Sequence, residues 1–204
     1  MVSFPTPCYR LGSVHDSRET TRMPRLLLLR HAKSSWDDAS ADDFDRPLNA
    51  RGRIAAPVMG SHIGAHGLTP DKILCSSARR ARETLAALLP HLDEDVDIRL
   101  TRDLYFAGED RTIDQIRAHG GSAATLLVIG HNPGLQETAL ALLGDGPAPI
   151  VESLTEKFPT AGLVVIDFPA IKWVDIEPKT GTAVALLRPR GRKLVEIRAD
   201  DDTA

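Results

Sequence analysis

Three groups of basic and imidazole side chains stand out because each follows a short apolar segment. Arg30-His31 follows the first segment, Arg79-Arg80 comes shortly after the second, and His131 comes soon after the third. Cations that are gathered together are costly to desolvate and repel one another unless an anion joins them. A phosphoryl group is the best candidate, because a guanidinium binds its oxygens through two parallel hydrogen bonds. The residue types therefore indicate chemistry on a phosphoryl group.

The histidines are suited to covalent catalysis at neutral pH. A neutral imidazole is a nucleophile, and the phosphoramidate that it forms is labile enough to be hydrolysed in a second step. Charge that develops on the equatorial phosphoryl oxygens can be stabilised by Arg30, Arg80 and a protonated His131 without Mg²⁺. We therefore expect neither a metal ion nor a cofactor.

The elements that must position these side chains have the pattern of an α/β fold. The unalternating apolar run from Pro24 to Arg30 is typical of a strand that is buried on both faces. Lys72–Cys75 and Thr125–Ile129 predict two more strands, and each precedes a segment with helical apolar spacing. In open α/β sheets, ligands bind at the carboxyl ends of the strands. We predict a three-layer α/β/α domain with a mostly parallel mixed central sheet and the three groups at one edge.

The remaining segments predict helices between the strands and further strands at the end of the chain. We expect Asn49 to cap a helix that runs to about Ala65, and Ser76-Ser77 to cap a helix that ends at Pro90. Further elements are a short helix at Ile113 and Ile116, a helix from near Pro133 to Gly144, and edge strands at Leu163–Phe168, Ile171–Ile176 and Ala183–Leu187.

Length and charge narrow the class of protein. The 204 residues suit one domain, and we expect a disordered extension at 1–22, the domain at 23–190 and a polar tail at 191–204. A net charge of −3 gives no basic field for nucleic acid. No apolar run approaches the length of about 18 residues that a membrane span needs. Two distant cysteines, Cys8 and Cys75, fit a reducing cytoplasm better than a disulfide framework.

Three motifs in this order resemble the histidine phosphatase superfamily, and most closely its branch of SixA-type phosphohistidine phosphatases. They are Arg30-His31-Ala32-Lys33-Ser34, Ser76-Ser77-Ala78-Arg79-Arg80-Ala81-Arg82-Glu83-Thr84 and Gly130-His131-Asn132-Pro133-Gly134. Shorter matches extend the resemblance from about residue 24 to 190, namely Arg46-Pro47-Leu48-Asn49, Leu104-Tyr105, Lys157-Phe158-Pro159-Thr160 and Arg188-Pro189. The resemblance implies a phosphoglycerate mutase-like fold.

The resemblance also implies a role for each pocket residue. His31 is the nucleophile, Arg30 and Arg80 hold the phosphoryl group, and His131 is the second pocket histidine. Arg80 rather than Arg79 is the phosphate ligand, because the motif places that arginine directly before an alanine.

Two residues within two positions of the motif histidines are expected to bind substrate together with the arginines. They are Lys33 and Asn132. The superfamily at large has glycine directly after the first histidine, whereas this chain has Ala32 followed by Lys33. That departure favours the SixA-type branch and places an additional cation near the pocket.

The substrate class follows from a carboxylic acid that the sequence lacks. Superfamily members that act on phosphate esters have this acid shortly after the strand near Leu104, where the chain reads Leu104-Tyr105-Phe106-Ala107; Asp103, Glu109 and Asp110 flank the stretch without matching the motif. An alkoxide leaving group needs a general acid, whereas a protonated phosphohistidine ring departs as neutral imidazole. The expected activity is therefore hydrolysis of phosphohistidine on a protein of the histidine phosphotransfer type.

Two other functions remain open. One is a small-molecule phosphomonoesterase or mutase-like enzyme that uses Asp103, Glu109 or Asp110 as its acid. The other is a non-catalytic module that binds phosphorylated partners. A zinc site at His62 and His66 is disfavoured because the sequence supplies no third ligand.

Overall fold

The computed structural model describes residues 23–38, 40, 42–92, 95–169 and 171–198, and its centre is a mixed β-sheet. The strands are β1 (Arg25–Arg30), β2 (Lys72–Ser76), β3 (Asp97–Thr101), β4 (Thr125–Gly130), β5 (Leu143–Asp145), β6 (Leu163–Asp167), β7 (Gly181–Arg190) and β8 (Lys193–Arg198). The helices are α1 (Ala50–Ala65), α2 (Arg79–Leu88), α3 (Glu109–His119), α4 (Gly134–Leu142) and α5 (Ala148–Glu156).

The strands lie in the order β3-β2-β4-β1-β6-β7-β5, and β8 pairs with β7. The half that contains β3, β2, β4 and β1 is entirely parallel, whereas β6 runs antiparallel to both of its neighbours. In the register of the central pair, Arg30 lies opposite Gly130. The residues that follow β1 and β4 therefore leave the sheet side by side.

Helices cover both faces of the sheet, which confirms the three-layer prediction. Leu26 and Leu28 of β1 pack with apolar residues of α3, α4 and α5, while Leu27 and Leu29 pack with those of α1 and α2. Because all four leucines are fully buried, β1 has no polar face and its sequence cannot alternate. The predicted cap of α1 is confirmed, since the side chain of Asn49 accepts a hydrogen bond from the Gly52 amide.

Several local predictions were wrong. The segment from Ile171 to Ile176 contains a 3-10 turn at Trp173–Asp175 instead of a strand, because the Trp173 side chain is buried against the helical layer and its indole donates to the Ala123 carbonyl. The residue that precedes α2 is Ala78 rather than a serine, and it forms no side-chain cap. The edge strand β3 escaped prediction because four of its five residues are exposed.

The described residues begin at 23 and end at 198, so the structure bears on the predicted ends of the chain to different extents. Residues 1–22, for which an extension was predicted, lie outside the described residues. The boundary predicted at residue 190 falls inside a hairpin, because β8 pairs with β7 along its whole length. Four basic residues, Arg188, Arg190, Arg192 and Lys193, therefore lie in this hairpin and not in a tail. No helix in the described ranges is long and apolar enough to cross a membrane.

Candidate active site

The two histidines of the predicted site meet at the carboxyl edge of the sheet. His31 follows β1 and His131 follows β4, and the parallel register extends by one bond from the His31 amide to the Gly130 carbonyl, at 3.0 Å. The two imidazole rings lie 4.9 Å apart between centroids. Both side chains are buried, His31 at 7% exposure and His131 at 5%.

Arg80 reaches the same point from the first turn of α2. Its Nε–H donates to Nε2 of His31 over 3.2 Å, and the residue is buried. Arg79, its neighbour in sequence, is exposed and pairs instead with Glu83 at 2.7 Å. The structure therefore brings Arg80, and not Arg79, to the histidine pair.

A hydrogen-bond chain holds His31 in one tautomer and in one place. Nδ1 of His31 donates to the carbonyl oxygen of Ala32 at 2.7 Å, which leaves the lone pair on Nε2. The Ala32 amide donates to the hydroxyl of Thr84, which in turn donates to the carbonyl of Arg80. Thr84 therefore couples the loop that carries His31 to the helix that carries Arg80.

Arg30 and Asn132 share an anchor on the far side of the pocket. The Arg30 guanidinium donates to the Phe158 carbonyl at 2.7 Å, and the Asn132 amide donates to the same oxygen at 3.2 Å. Nε of Arg30 and Oδ1 of Asn132 are buried without a hydrogen-bond partner among the described residues. Lys33, by contrast, is exposed outside this cluster.

Asp43 is a site residue that the sequence analysis missed. Its backbone carbonyl and its carboxylate accept hydrogen bonds from the two terminal nitrogens of Arg80. The carboxylate also accepts from the Tyr105 hydroxyl at 2.9 Å and from Arg46 at 2.8 Å. Burial raises the pKa of Asp43, but the hydrogen bonds and the charge of Arg80 outweigh burial and keep this pKa below its ordinary value. Asp43 is therefore ionised at neutral pH and lies beside Arg80.

Ser76 is the second residue that was missed in this role. It is the last residue of β2, fully buried, and its hydroxyl lies 2.8 Å from Nε2 of His131. Nδ1 of His131 is buried without a partner in the described part of the chain. A prediction that β2 lies beside β4 would have revealed this contact, because both strands end at the edge of the sheet where His131 emerges.

Both histidines are neutral in the protein alone. Burial, the neighbouring His131 ring and the two arginines lower the pKa of His31 to about 3. Burial and the charges of Arg80 and Arg30 lower the pKa of His131 to about 3 as well. A protonated His131 stays a prediction for the complex with the phosphoryl group, because this low pKa applies to the protein without substrate. The pKa of Arg30 is also lowered, first by burial and then by Arg80.

Among the described residues, none of the three acids considered as proton donors makes a hydrogen bond to His31 or His131. Asp103 pairs with Arg111 on a partly exposed surface, and Glu109 and Asp110 are exposed in the first turn of α3. The rings of His62 and His66 stack at 3.8 Å on another face of the molecule. Within the described ranges, no three His, Cys, Asp or Glu side chains converge as a metal site.

We expect the free energy of unfolding to fall as the pH is lowered from 6.5 towards 3. The folded pKa of each pocket histidine lies near 3 while the ordinary value is 6.5, so the unfolded chain binds more protons throughout this interval. Each histidine should cost on the order of 2 kcal/mol at about pH 5 relative to neutral pH. Urea unfolding at both pH values measures this loss.

The matched variant for this measurement is His131→Asn. It should show a pH-dependent loss that is smaller by at least the contribution of one histidine, because the His131 ring also helps to lower the pKa of His31. An unchanged pH dependence in the variant would contradict a low pKa for His131.

The amino-acid sequence matches a known family and is similar to mycobacterial relatives. Residues 26–105 match the model of the histidine phosphatase superfamily (branch 1). An uncharacterized protein of Mycobacterium tuberculosis is 38% identical over 164 residues, which cover 79% of this chain and 100% of the relative. An uncharacterized protein of Mycobacterium leprae is 36% identical over 166 residues, with 79% and 100% covered.

Solved structures give a concordant result. An Agrobacterium tumefaciens protein assigned as the phosphohistidine phosphatase SixA has a TM-score of 0.68 and 30% identity, covering 81% of this chain and 99% of that one. A Nakamurella protein with the same assignment has a TM-score of 0.70 and 27% identity, covering 81% and 96%. The histidine phosphatase SixA solved with tungstate shares the fold at a TM-score of 0.62 and 19% identity, covering 78% and 93%.

Proposed function

The chain belongs to the histidine phosphatase superfamily, within which its neighbours are SixA-type phosphatases, and we propose from this premise that it removes phosphoryl groups from phosphohistidine on proteins. The reaction passes through a covalent phospho-His31 intermediate and needs no metal ion. The observation that supports this most directly is the geometry of His31. Its Nδ1–H donates a hydrogen bond to the Ala32 carbonyl, while its Nε2 faces Arg80.

In the first step, Nε2 of His31 attacks the phosphorus atom of the substrate. A bond forms between Nε2 and phosphorus, and the bond between phosphorus and the substrate imidazole breaks. Because the substrate ring is protonated, it leaves as neutral imidazole. A pKa near 3 keeps His31 unprotonated, so its lone pair is available throughout the neutral range.

In the second step, water attacks the phosphorus atom and the bond to Nε2 breaks. The products are inorganic phosphate and His31 with its lone pair restored. Because Nδ1–H is hydrogen-bonded to the Ala32 carbonyl, the ring needs no further proton and leaves as neutral imidazole.

The two arginines bind the oxygens of the group that is transferred. Nε–H of Arg80 points to Nε2 of His31, and therefore to the place where the phosphoryl group is attached. Asp43 binds the other edge of the same guanidinium and fixes its direction. Arg30 lies against the Phe158 carbonyl with Nε unpaired, so this donor is available to an oxygen.

We assign supporting positions to His131, Asn132 and Lys33. If the Ser76 hydroxyl donates to Nε2 of His131, then Nδ1–H of this ring is free to donate to a phosphoryl oxygen. Oδ1 of Asn132 is available to a donor on the substrate, and Lys33 contacts the phosphoprotein outside the pocket.

The carboxylates near the site favour phosphohistidine over phosphate esters. Asp43 contacts Arg80, but its pKa below the ordinary value keeps it ionised and unable to supply a proton at neutral pH. Asp103 pairs with Arg111 at the surface and also has a lowered pKa. An ester would therefore lack the general acid that its alkoxide needs.

The experiment compares a phosphohistidine peptide with β-glycerophosphate, an ester whose leaving group is an alkoxide, both in EDTA. We expect turnover of the peptide with kcat/KM higher by about 100-fold or more, which is the contribution of a general acid that the ester would miss. Equal or faster ester turnover would instead favour a small-molecule phosphomonoesterase or mutase-like enzyme. Tight phosphate binding without turnover of either compound would favour a phosphate-binding module.

A further inference from the structure

Phe106 is an exposed aromatic residue beside the active site that none of the steps above uses. Its side chain is 67% exposed. Its backbone φ angle is 52°, which lies in the left-handed region that bulky residues rarely adopt. Both features are unfavourable for the isolated protein, since apolar surface is left in water and the backbone is strained. Strained residues of this kind cluster at sites that bind ligands.

The segment around Phe106 is held firmly from both sides. Leu104 and Ala107 are buried, and the Ala107 carbonyl packs so closely on Gly134 at the start of α4 that a Cβ atom there would collide with it. The Tyr105 hydroxyl is bonded to Asp43. The backbone therefore presents the Phe106 ring in a defined position.

The ring of Phe106 is the outer end of a series that leads to the nucleophile. Its centroid lies 4.3 Å from that of Tyr105, which lies 5.6 Å from His131 in an edge-on arrangement. His131 in turn lies 4.9 Å from His31. Trp36, another exposed aromatic residue, is already stacked on the Arg46 guanidinium at 3.1 Å. Phe106 instead leaves most of its surface available to a second ring.

We propose that Phe106, supported by Tyr105, determines specificity by packing against the imidazole ring of the phosphohistidine substrate. This inference rests on the proposed function. In an in-line transfer the leaving ring lies across the phosphorus atom from His31, and therefore on the solvent side of the buried histidine pair where Phe106 is exposed. Aromatic rings attract one another in offset or edge-on geometry, and a compound without a ring gains nothing from this contact.

The test compares two compounds with the same type of scissile P–N bond. One is a phosphohistidine peptide and the other is phosphoramidate, which has no ring. For Phe106→Ala we expect kcat/KM on the peptide to fall by about 3- to 10-fold, which is the range for an aromatic pair, while kcat/KM on phosphoramidate stays unchanged. Phe106→Tyr should retain the wild-type ratio between the two compounds.

Two further variants separate the ring from the backbone. Phe106→Gly relieves the positive φ and should change the ratio as Phe106→Ala does. Val174→Ala removes an exposed apolar side chain from the turn at Trp173–Asp175 and should leave the ratio unchanged. Because the ratio does not depend on the fraction of folded enzyme, a loss of stability cannot imitate the expected result.

The outcomes distinguish this inference from the proposed function. Wild-type turnover of the peptide with equal effects of Phe106→Ala on both compounds, or with no effect on either, overturns the role of Phe106 and leaves the function intact. Absence of peptide turnover by the wild type overturns both.

Discussion

Replacement of His31 by alanine is expected to abolish turnover of the phosphohistidine peptide, with a loss of about 10⁴-fold or more in kcat, because the covalent route is removed. The side chain lies at the centre of the pocket and its Nε2 faces Arg80. His131, the other histidine of the pocket, is not placed to replace it, since its own Nε2 contacts Ser76. The variant should also fail to form a phosphoenzyme.

Mass spectrometry after an alkaline quench measures the phosphoenzyme, because phosphohistidine survives in base. Wild-type protein mixed with substrate should carry one phosphoryl group on the peptide that contains His31. The matched control is His66→Ala, which removes an exposed histidine directly after α1 and should behave as wild type. A phosphoryl group on the protein in His31→Ala would show that another residue is the nucleophile.

The central part of this site was predictable because it depends on local pattern and on one rule of topology. β1 and β4 are short, apolar and unalternating, so their positions could be inferred from the sequence. Parallel strands in one sheet then bring their carboxyl ends to one edge, and this places His31 near His131 whatever the details of packing. Arg80 follows from the same rule, because α2 begins directly after β2.

The partners of these residues were not predictable, because each contact joins distant parts of the chain through packing. Asp43 lies in an acidic segment whose residues are indistinguishable by composition, and only the fold turns this one towards Arg80. The Phe158 carbonyl is a backbone atom and has no side-chain signature at all. The charge state of His131 likewise depends on burial and on Arg80, neither of which a sequence motif measures.

The contrast between local sequence pattern and long-range packing also explains the wrong predictions at the edges of the sheet. β3 has exposed residues along most of its length, so it lacks the apolar run that identifies a buried strand. Half of the residues of β8 are charged, and β8 forms only because β7 extends far enough to pair with it. The segment around Trp173 has the apolar composition of a strand. The Trp173 side chain instead packs against the helical layer, and its indole donates a hydrogen bond to the Ala123 carbonyl.

Arg80→Ala is expected to lower kcat on the phosphohistidine peptide by about 10³-fold, the effect of removing an arginine from the transition state of phosphoryl transfer. Arg79→Ala is the matched control, because it removes an identical side chain one residue away that is exposed and paired with Glu83. Arg79→Ala should retain nearly all activity. Comparable losses in the two variants would contradict the assignment of Arg80 as the phosphate ligand.

Arg80→Lys separates charge from geometry and completes this test. A lysine keeps the positive charge, but it has no planar fork that can donate to the phosphoryl group with one edge while Asp43 holds the other. We therefore expect Arg80→Lys to recover much of the phosphate affinity, measured as the inhibition constant of inorganic phosphate, while kcat stays close to that of Arg80→Ala. Recovery of kcat in parallel with affinity would show that charge alone is sufficient. Loss of kcat without loss of affinity would show that Asp43 and His31 together orient a donor that acts mainly in the transition state.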